Sequence, residues 1–277
     1  MDIKNILICG GGMMGKNIAF VFASNPDYQI GVYDLYPTDV YAGIRTNTRQ
    51  LVEHGVLTEA DVEDRLSRIA FTTDMDSEIV SNADLVIEAV FEDMKIKRET
   101  FAKLEARCRP DTIFCTNSSV MSPSEISAEL KHRERFVGTH FWNPGHLIPL
   151  VEVVKSDASS DETAQTVMDV LASVGKEPVL CKKDVPGFIA NRMQHALWRE
   201  AISIVEHGIA DAATVDKAVK YAFGLRLPQL GPMENADMVG TDLTYNIHDY
   251  ILKDLEDSHE PSPLLKQLRD QGKIGFK

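Results

Sequence analysis

Ile6-Leu7-Ile8-Cys9-Gly10-Gly11-Gly12-Met13-Met14-Gly15 decides the fold. Four apolar residues long enough for a buried strand run into three glycines spaced G-x-G-x-x-G, at Gly10, Gly12 and Gly15, and a helical pattern follows. The first glycine permits a tight turn and the second lets the backbone approach a pyrophosphate. The third lets helix and strand pack closely. An anion then rests on the helix N-terminus, where free N–H groups and the helix dipole favour negative charge, beside the backbone of Met13 and Met14. Glycines alone make a weak signal. A strand before them and a helix after them make a dinucleotide site the better reading.

Outward from this turn, Ile30–Tyr33 is a second apolar run, and Asp34 ends it at about the offset of a ribose-binding acid. A carboxylate there accepts from ribose hydroxyls and repels a 2′-phosphate. Leu35 and Tyr36 supply no cation for that phosphate, so the expected cofactor is NAD.

Further apolar runs at Leu85–Ala89, Ile113–Cys115, Phe136–Thr139 and Leu150–Val154 alternate with helical patterns at Met14–Ala23, Val40–His54, Met94–Cys108 and Asp161–Val174. Strands without a polar face, alternating with helices, predict a parallel sheet covered on both sides. The pattern changes after Cys181. Lys182-Lys183-Asp184-Val185-Pro186-Gly187 reads as a linker, and helices are expected at Ile189–His207, Ala213–Ala222, Val239–Leu255 and Leu264–Gln271. The expected class is α/β: a Rossmann-type, mostly parallel sheet domain over residues 1–185, then an all-α domain over 186–277.

Composition sets limits. Of 277 residues, 44% are hydrophobic and 26% charged, as in an ordinary soluble globular chain, and the formal net charge is −13. An acidic chain without a basic run does not suit nucleic acid or an anionic membrane. No apolar stretch approaches the roughly 20 residues of a membrane helix, and the opening Met-Asp-Ile-Lys-Asn leads directly into a strand, so a cytoplasmic protein is expected. Cys9, Cys108, Cys115 and Cys181 show no CxxC spacing, which argues against a metal or thiol-redox site. Cys9 and Cys115 sit in apolar runs and read as buried hydrophobes.

His140 ends the Phe136–Thr139 run, and Glu152 lies in the next. Strand C-termini face the ligand crevice of open α/β sheets, and a histidine steadied by a carboxylate can accept the proton of an alcohol. Spacing alone also allows a structural ion pair. The surrounding words are more specific: Thr116-Asn117-Ser118-Ser119, His140-Phe141-Trp142-Asn143-Pro144, Leu150-Val151-Glu152-Val153, Asp184-Val185-Pro186-Gly187-Phe188-Ile189-Ala190-Asn191-Arg192, and Gly231-Pro232 before Asp237-Met238-Val239-Gly240. With the glycine turn, and in this order, they resemble the 3-hydroxyacyl-CoA dehydrogenase family along the whole chain.

The resemblance implies a catalytic pair, His140 and Glu152, with Ser118 and Asn191 on the substrate oxygen. It implies NAD contacts at Glu92, Lys97 and Asn143, and a further cofactor lysine at Lys277. It also implies a homodimer joined through the helical domain. The reaction implied is oxidation of a 3-hydroxyacyl group, such as 3-hydroxybutyryl-CoA, to the 3-oxo form by hydride transfer, with His140 as base.

A small free 3-hydroxy acid (carnitine, a sugar acid or a ring carboxylate) is the alternative substrate, and a structural or NAD-sensing role the non-enzymatic one. Asp39–Arg68, where acyl-CoA relatives tend to carry lysines for the CoA phosphates, holds none, although Arg45 and Arg49 lie one turn apart and offer charge. Trp142 stands where phenylalanine is usual and reads as narrowing the pocket. His146, in the loop between the catalytic pair, reads as a possible substrate contact.

Overall fold

The computed structural model describes residues 3–275. Two compact units divide the chain, one ending at Ile189 and the other beginning at Ala190.

In the first unit the strands are β1 (Asn5–Cys9), β2 (Gln29–Tyr33), β3 (Ile69–Thr72), β4 (Leu85–Glu88), β5 (Ile113–Thr116), β6 (Phe136–Phe141), β7 (Leu150–Lys155) and β8 (Glu177–Cys181). The helices are α1 (Met13–Phe22), α2 (Val40–Glu53), α3 (Glu59–Ser67), α4 (Glu78–Ser81), α5 (Met94–Glu105), α6 (Pro123–Ile126) and α7 (Asp161–Ser173). One eight-stranded sheet results, in the order β3-β2-β1-β4-β5-β6-β7-β8. Every neighbouring pair is parallel except β6 and β7, which run antiparallel.

The apolar strands feed two cores. Ile6 and Ile8 pack with Ile18 and Phe22 of α1 and Val167 and Leu171 of α7 on one face. Leu7 and Cys9 pack with Phe101 and Leu104 of α5 on the other. Adjacent strand residues therefore serve opposite faces, each buried side chain contributing about 1.5–3 kcal/mol. Phe101 meets Phe136 edge-on at 4.8 Å between ring centroids, which ties α5 to the strand that carries His140.

Side-chain caps set several helix starts. Asp39 accepts from the amide of Ala42, Asp93 from that of Ile96, and Thr58 forms a capping box with Asp61. Helix α1 departs from this: its N-cap is Gly12, with no side-chain cap and no acid in the first turn. Its amides are left for something outside the chain.

The second unit contains α8 (Ala190–Glu206), α9 (Ala212–Tyr221), α10 (Phe223–Arg226), α11 (Pro232–Val239), α12 (Thr241–Ile251) and α13 (Pro263–Asp270). The helix expected over Val239–Leu255 is the shorter α12: Gly240, whose φ of 102° lies in the left-handed region, separates it from α11, a helix the sequence reading did not expect. Ser203 donates to Glu256 at 3.0 Å, and the Glu256 amide to Glu200 at 2.7 Å, so the segment before α13 is tied back to α8. None of the described residues from 190 onward is buried.

Candidate active site

The glycine turn shows why three glycines are present. Gly10 has φ 114°, and a Cβ there would lie 2.6 Å from the carbonyl oxygen of Ala89. A Cβ on Gly15 would lie 1.8 Å from the carbonyl oxygen of Gly10, so α1 can sit this close to β1 only with glycine. A Cβ on Gly12 would meet nothing within 4 Å. Open space lies over that backbone, in front of the uncapped first turn at Met13 and Met14. Asp34 accepts from the amide of Gly11 at 2.7 Å through Oδ2 and from that of Tyr36 at 3.1 Å through Oδ1. Each oxygen keeps acceptor capacity for a ribose hydroxyl. The uncapped helix end, the open backbone and the carboxylate fit a dinucleotide.

His140 and Glu152 stand opposite each other in the β6–β7 register, with Nδ1 of His140 2.8 Å from Oε2 of Glu152. Both are buried. The amide of Ile189 donates to Oε1 of Glu152 at 2.9 Å. The Trp142 indole lies on one side of the His140 ring, at 5.3 Å between centroids, and Phe188 packs on it at 5.7 Å. Phe188 holds φ 49°, uncommon outside glycine. The Pro186-Gly187 segment read as a linker thus presses Phe188 onto His140 and brings the Ile189 amide to Glu152.

A second cluster lies at the ends of β4 and β5. Lys97 is 1% exposed, and its Nζ lies 2.7 Å from Glu88 and 3.1 Å from Glu92. Glu88 is fully buried and also accepts from Thr116 and from the amide of Val90, both at 2.7 Å. Burial pushes its carboxyl up, against the pull of Lys97 and these donors. Glu92 accepts from the Ser118 hydroxyl and the Ser119 amide. Half-burial works against its charge, but the bonds from Ser118 and Lys97 hold it below the usual carboxylate range. Because a carboxylate only accepts, the Ser118 hydrogen is committed to Glu92. Its oxygen also accepts from the Met121 amide at 2.9 Å. Ser118 can therefore donate to a substrate oxygen only by turning away from Glu92. Asn117 next to it accepts from the Phe141 amide at 2.9 Å, tying the loop after β5 to the strand of His140.

The loop from Asn143 to Pro149 begins with a cis Asn143–Pro144 peptide, and Asn143 itself is exposed. Lys176, buried, donates to the carbonyls of Gly145 at 2.6 Å and Ile148 at 2.9 Å. Burial holds its ammonium below the ordinary lysine range. Gly145 packs on Asn17 and Met14 of α1. His146 meets the backbone of Asn47 in α2, and its Nδ1 is buried with no partner among the described residues.

Arg45 forms a two-pronged pair with Glu63, at 2.7 and 2.8 Å, and Arg49 bonds Glu53 at 2.8 Å. Asn191 is the second residue of α8, in the second unit. Lys277 lies outside the described residues.

Sequence reasoning missed Glu88, Lys176, Phe188 and the Ile189 amide. Glu88 left one usable trace, an acid closing an otherwise apolar run, with a lysine placed to return to it from the next helix. The thiols behave as expected: Cys9 and Cys115 are buried, and burial pushes both well above the usual thiol range.

Residues 5–185 match the family described as 3-hydroxyacyl-CoA dehydrogenase, NAD binding domain, and residues 187–277 match its C-terminal domain. The chain belongs to the 3-hydroxyacyl-CoA dehydrogenase family. This member is 33% identical over 99% of its length, and 88% of the relative's, to 5-formyl-3-hydroxy-2-methylpyridine 4-carboxylate 5-dehydrogenase of Mesorhizobium japonicum. It is 35% identical over 100% of its length to a probable 3-hydroxybutyryl-CoA dehydrogenase of Bacillus subtilis, covering 96% of that protein. A crystal structure of a 5-formyl-3-hydroxy-2-methylpyridine 4-carboxylic acid 5-dehydrogenase, described as an NAD+ dependent dismutase, superposes with a TM-score of 0.88 at 32% identity, covering 99% of this chain and 88% of that one. The chain is an NAD-dependent oxidoreductase of 3-hydroxyacyl-CoA dehydrogenase type, and its family's NAD-binding domain carries the glycine turn and the His140–Glu152 pair. No described helix is long and apolar enough to cross a membrane.

Proposed function

We propose that this family member oxidises the 3-hydroxyl of an acyl compound to the ketone, with His140 as the proton acceptor. The observation that carries this reading is the bond between His140 Nδ1 and the buried Glu152 carboxylate. With Nδ1–H held by Glu152, Nε2 keeps a lone pair for the substrate hydroxyl proton. The imidazolium that forms is stabilised by the adjacent negative charge. Ser118 and Asn191 are assigned to the substrate oxygen, Ser118 after release from Glu92. NAD, when bound, supplies the hydride acceptor. Glu92, Lys97 and Asn143 are assigned to NAD contacts, and Asp34 to the adenosine ribose, favouring NAD over NADP.

The acyl group is a CoA thioester on the first reading, as the names of relatives such as the Bacillus subtilis protein suggest. A second reading, a small free acid, is favoured by the arginines of the Asp39–Arg68 stretch. Arg45 and Arg49 already hold Glu63 and Glu53, Arg68 holds Asp64 at 2.7 Å, and Arg65 lies over the Phe20 ring at 4.8 Å. The Mesorhizobium relative named for a pyridine carboxylate suits the same reading. Acetoacetyl-CoA and free 3-oxo acids, assayed with NADH at equal concentration, separate the two. A micromolar KM for the thioester removes the second reading, and turnover of free acids alone removes the first. Turnover of neither, with NADH binding retained, removes both.

We further assign a homodimer to the second unit. None of its described residues is buried, yet Met193, Leu197, Trp198, Tyr245 and Ile247 are exposed. A monomeric mass by light scattering at micromolar concentration rejects this. We also propose a reducing cytoplasm as the chain's setting, where thiols such as Cys9, Cys108 and Cys115 stay reduced.

A further inference from the structure

We propose that Trp142 is a positioning residue for the His140 base: its indole N–H shares the Glu152 oxygen that holds His140. This rests on the reading of His140 as the base. Nε1 of Trp142 lies 3.3 Å from Glu152 Oε2, the same atom that pairs with His140 Nδ1 at 2.8 Å. An indole N–H donates and never accepts, so the direction of the bond is fixed. With the Ile189 amide on Oε1, both carboxylate oxygens are engaged and the plane of the group is pinned against β6.

Two consequences follow from the chemistry of a shared acceptor. The carboxylate is turned to present Oε2 to Nδ1, which orients the ring and directs Nε2 away from β7. In addition, the indole draws negative charge from the oxygen facing His140, so the imidazolium gains less from Glu152 than it would from a carboxylate without that donor. The neutral imidazole is the form alcohol oxidation needs. A phenylalanine at this position keeps an aromatic wall beside His140 and loses both effects.

Other charged groups on the surrounding elements are turned elsewhere. Lys155 of β7 pairs with Asp161 of α7 at 2.5 Å, and Asp184 beyond β8 is bound by Ser122 and the Ser124 amide. Glu92 is engaged by Ser118 and Lys97, Lys176 by the loop carbonyls, and Glu177 of β8 is exposed.

The test is the pH profile of kcat/KM for alcohol oxidation in wild type and Trp142→Phe, with His140→Gln alongside. In Trp142→Phe the acidic limb should move up, kcat should fall several-fold, and the NAD KM should hold. An unmoved limb in Trp142→Phe, with His140→Gln inactive, overturns the role of Trp142 and leaves the base reading standing. An active His140→Gln overturns the base reading itself. A second measurement uses wild type, in case the variant does not fold. The chain has two tryptophans, so the Trp142 indole N–H resonance is assigned by comparison with Trp198→Phe. It should lie downfield of a solvent-exposed indole and shift as His140 titrates. A resonance that stays at the exposed position at every pH overturns the shared bond.

Discussion

His140 of β6 and Glu152 of β7 are direct partners in the one antiparallel ladder of the sheet, and the bond between their side chains closes across it. Opposite residues of an antiparallel pair share a face with Cβ atoms about 5 Å apart. The ladder itself therefore sets the distance between acid and base, and no loop has to carry either side chain to the other. Both strands are buried on both faces, so the pair sits on a rigid frame.

Replacing His140 by Gln removes the proton acceptor and keeps the ring's approximate volume. Turnover should fall roughly 10²–10⁴-fold, the range for loss of a general base, while NADH titration by fluorescence shows unchanged affinity. Glu152→Gln should also lower turnover, because an amide cannot stabilise the imidazolium. Wild-type turnover in His140→Gln rejects the assignment.

The glycines allow a sharper division between fold and cofactor. Gly15→Ala places a methyl into the carbonyl of Gly10 and should destabilise the free protein by at least about 1–3 kcal/mol. Gly12→Ala places it in open space at a φ of −70° that any residue adopts. It should melt like wild type and bind NAD at least about tenfold more weakly, a loss of about 1.4 kcal/mol. Equal melting and equal NAD affinity in Gly12→Ala would show that the pyrophosphate does not lie over this residue.

Asp34→Ala removes a charged acceptor worth about 1.5–3 kcal/mol to a hydroxyl. kcat/KM with NAD should drop roughly ten- to hundredfold, and the gap to NADP should narrow. A wild-type preference for NADP would refute the assignment. Asp34 also holds the Gly11 amide, so part of the loss would come from a looser glycine turn.

Much of this arrangement is readable in the residues. The glycine turn, the strands around it and the uncapped helix start follow from local sequence, because the turn needs glycine and the strands need unbroken apolar runs. The reversal of β7 leaves no mark in composition, since a strand buried on both faces looks alike in either direction. The short link from Trp142 to Pro149 was the available clue, because a parallel crossover needs a dozen residues or more. β3 was missed for a different reason: Ile69–Thr72 is a four-residue edge strand that buries only Ile69. The Lys97–Glu88 pair left only half a trace: Glu88 closes an apolar run, but nothing in a lysine on a helix start announces that it turns inward. From sequence Trp142 reads as narrowing the pocket, whereas in the fold its donor points at Glu152.

His146 gives a pH dependence of known sign. Burial, and then the nearby Lys176 charge, hold its imidazole below its ordinary value of 6.5, while the bond to the Asn47 backbone pulls the other way. The folded state therefore favours neutral His146, and the unfolded chain binds the extra proton first as pH falls. Stability from this residue is complete above pH 6.5 and declines between that value and the lowered folded one. The loss should appear in the loop that His146 and Lys176 hold against α1 and α2. The wild-type thermal midpoint should decline with acidification through this window, and the substrate KM should rise with it, because the loop lies between His140 and Glu152. His146→Gln cannot take up the proton and should flatten both trends. Identical slopes of midpoint against pH in wild type and His146→Gln would exclude His146 as their source.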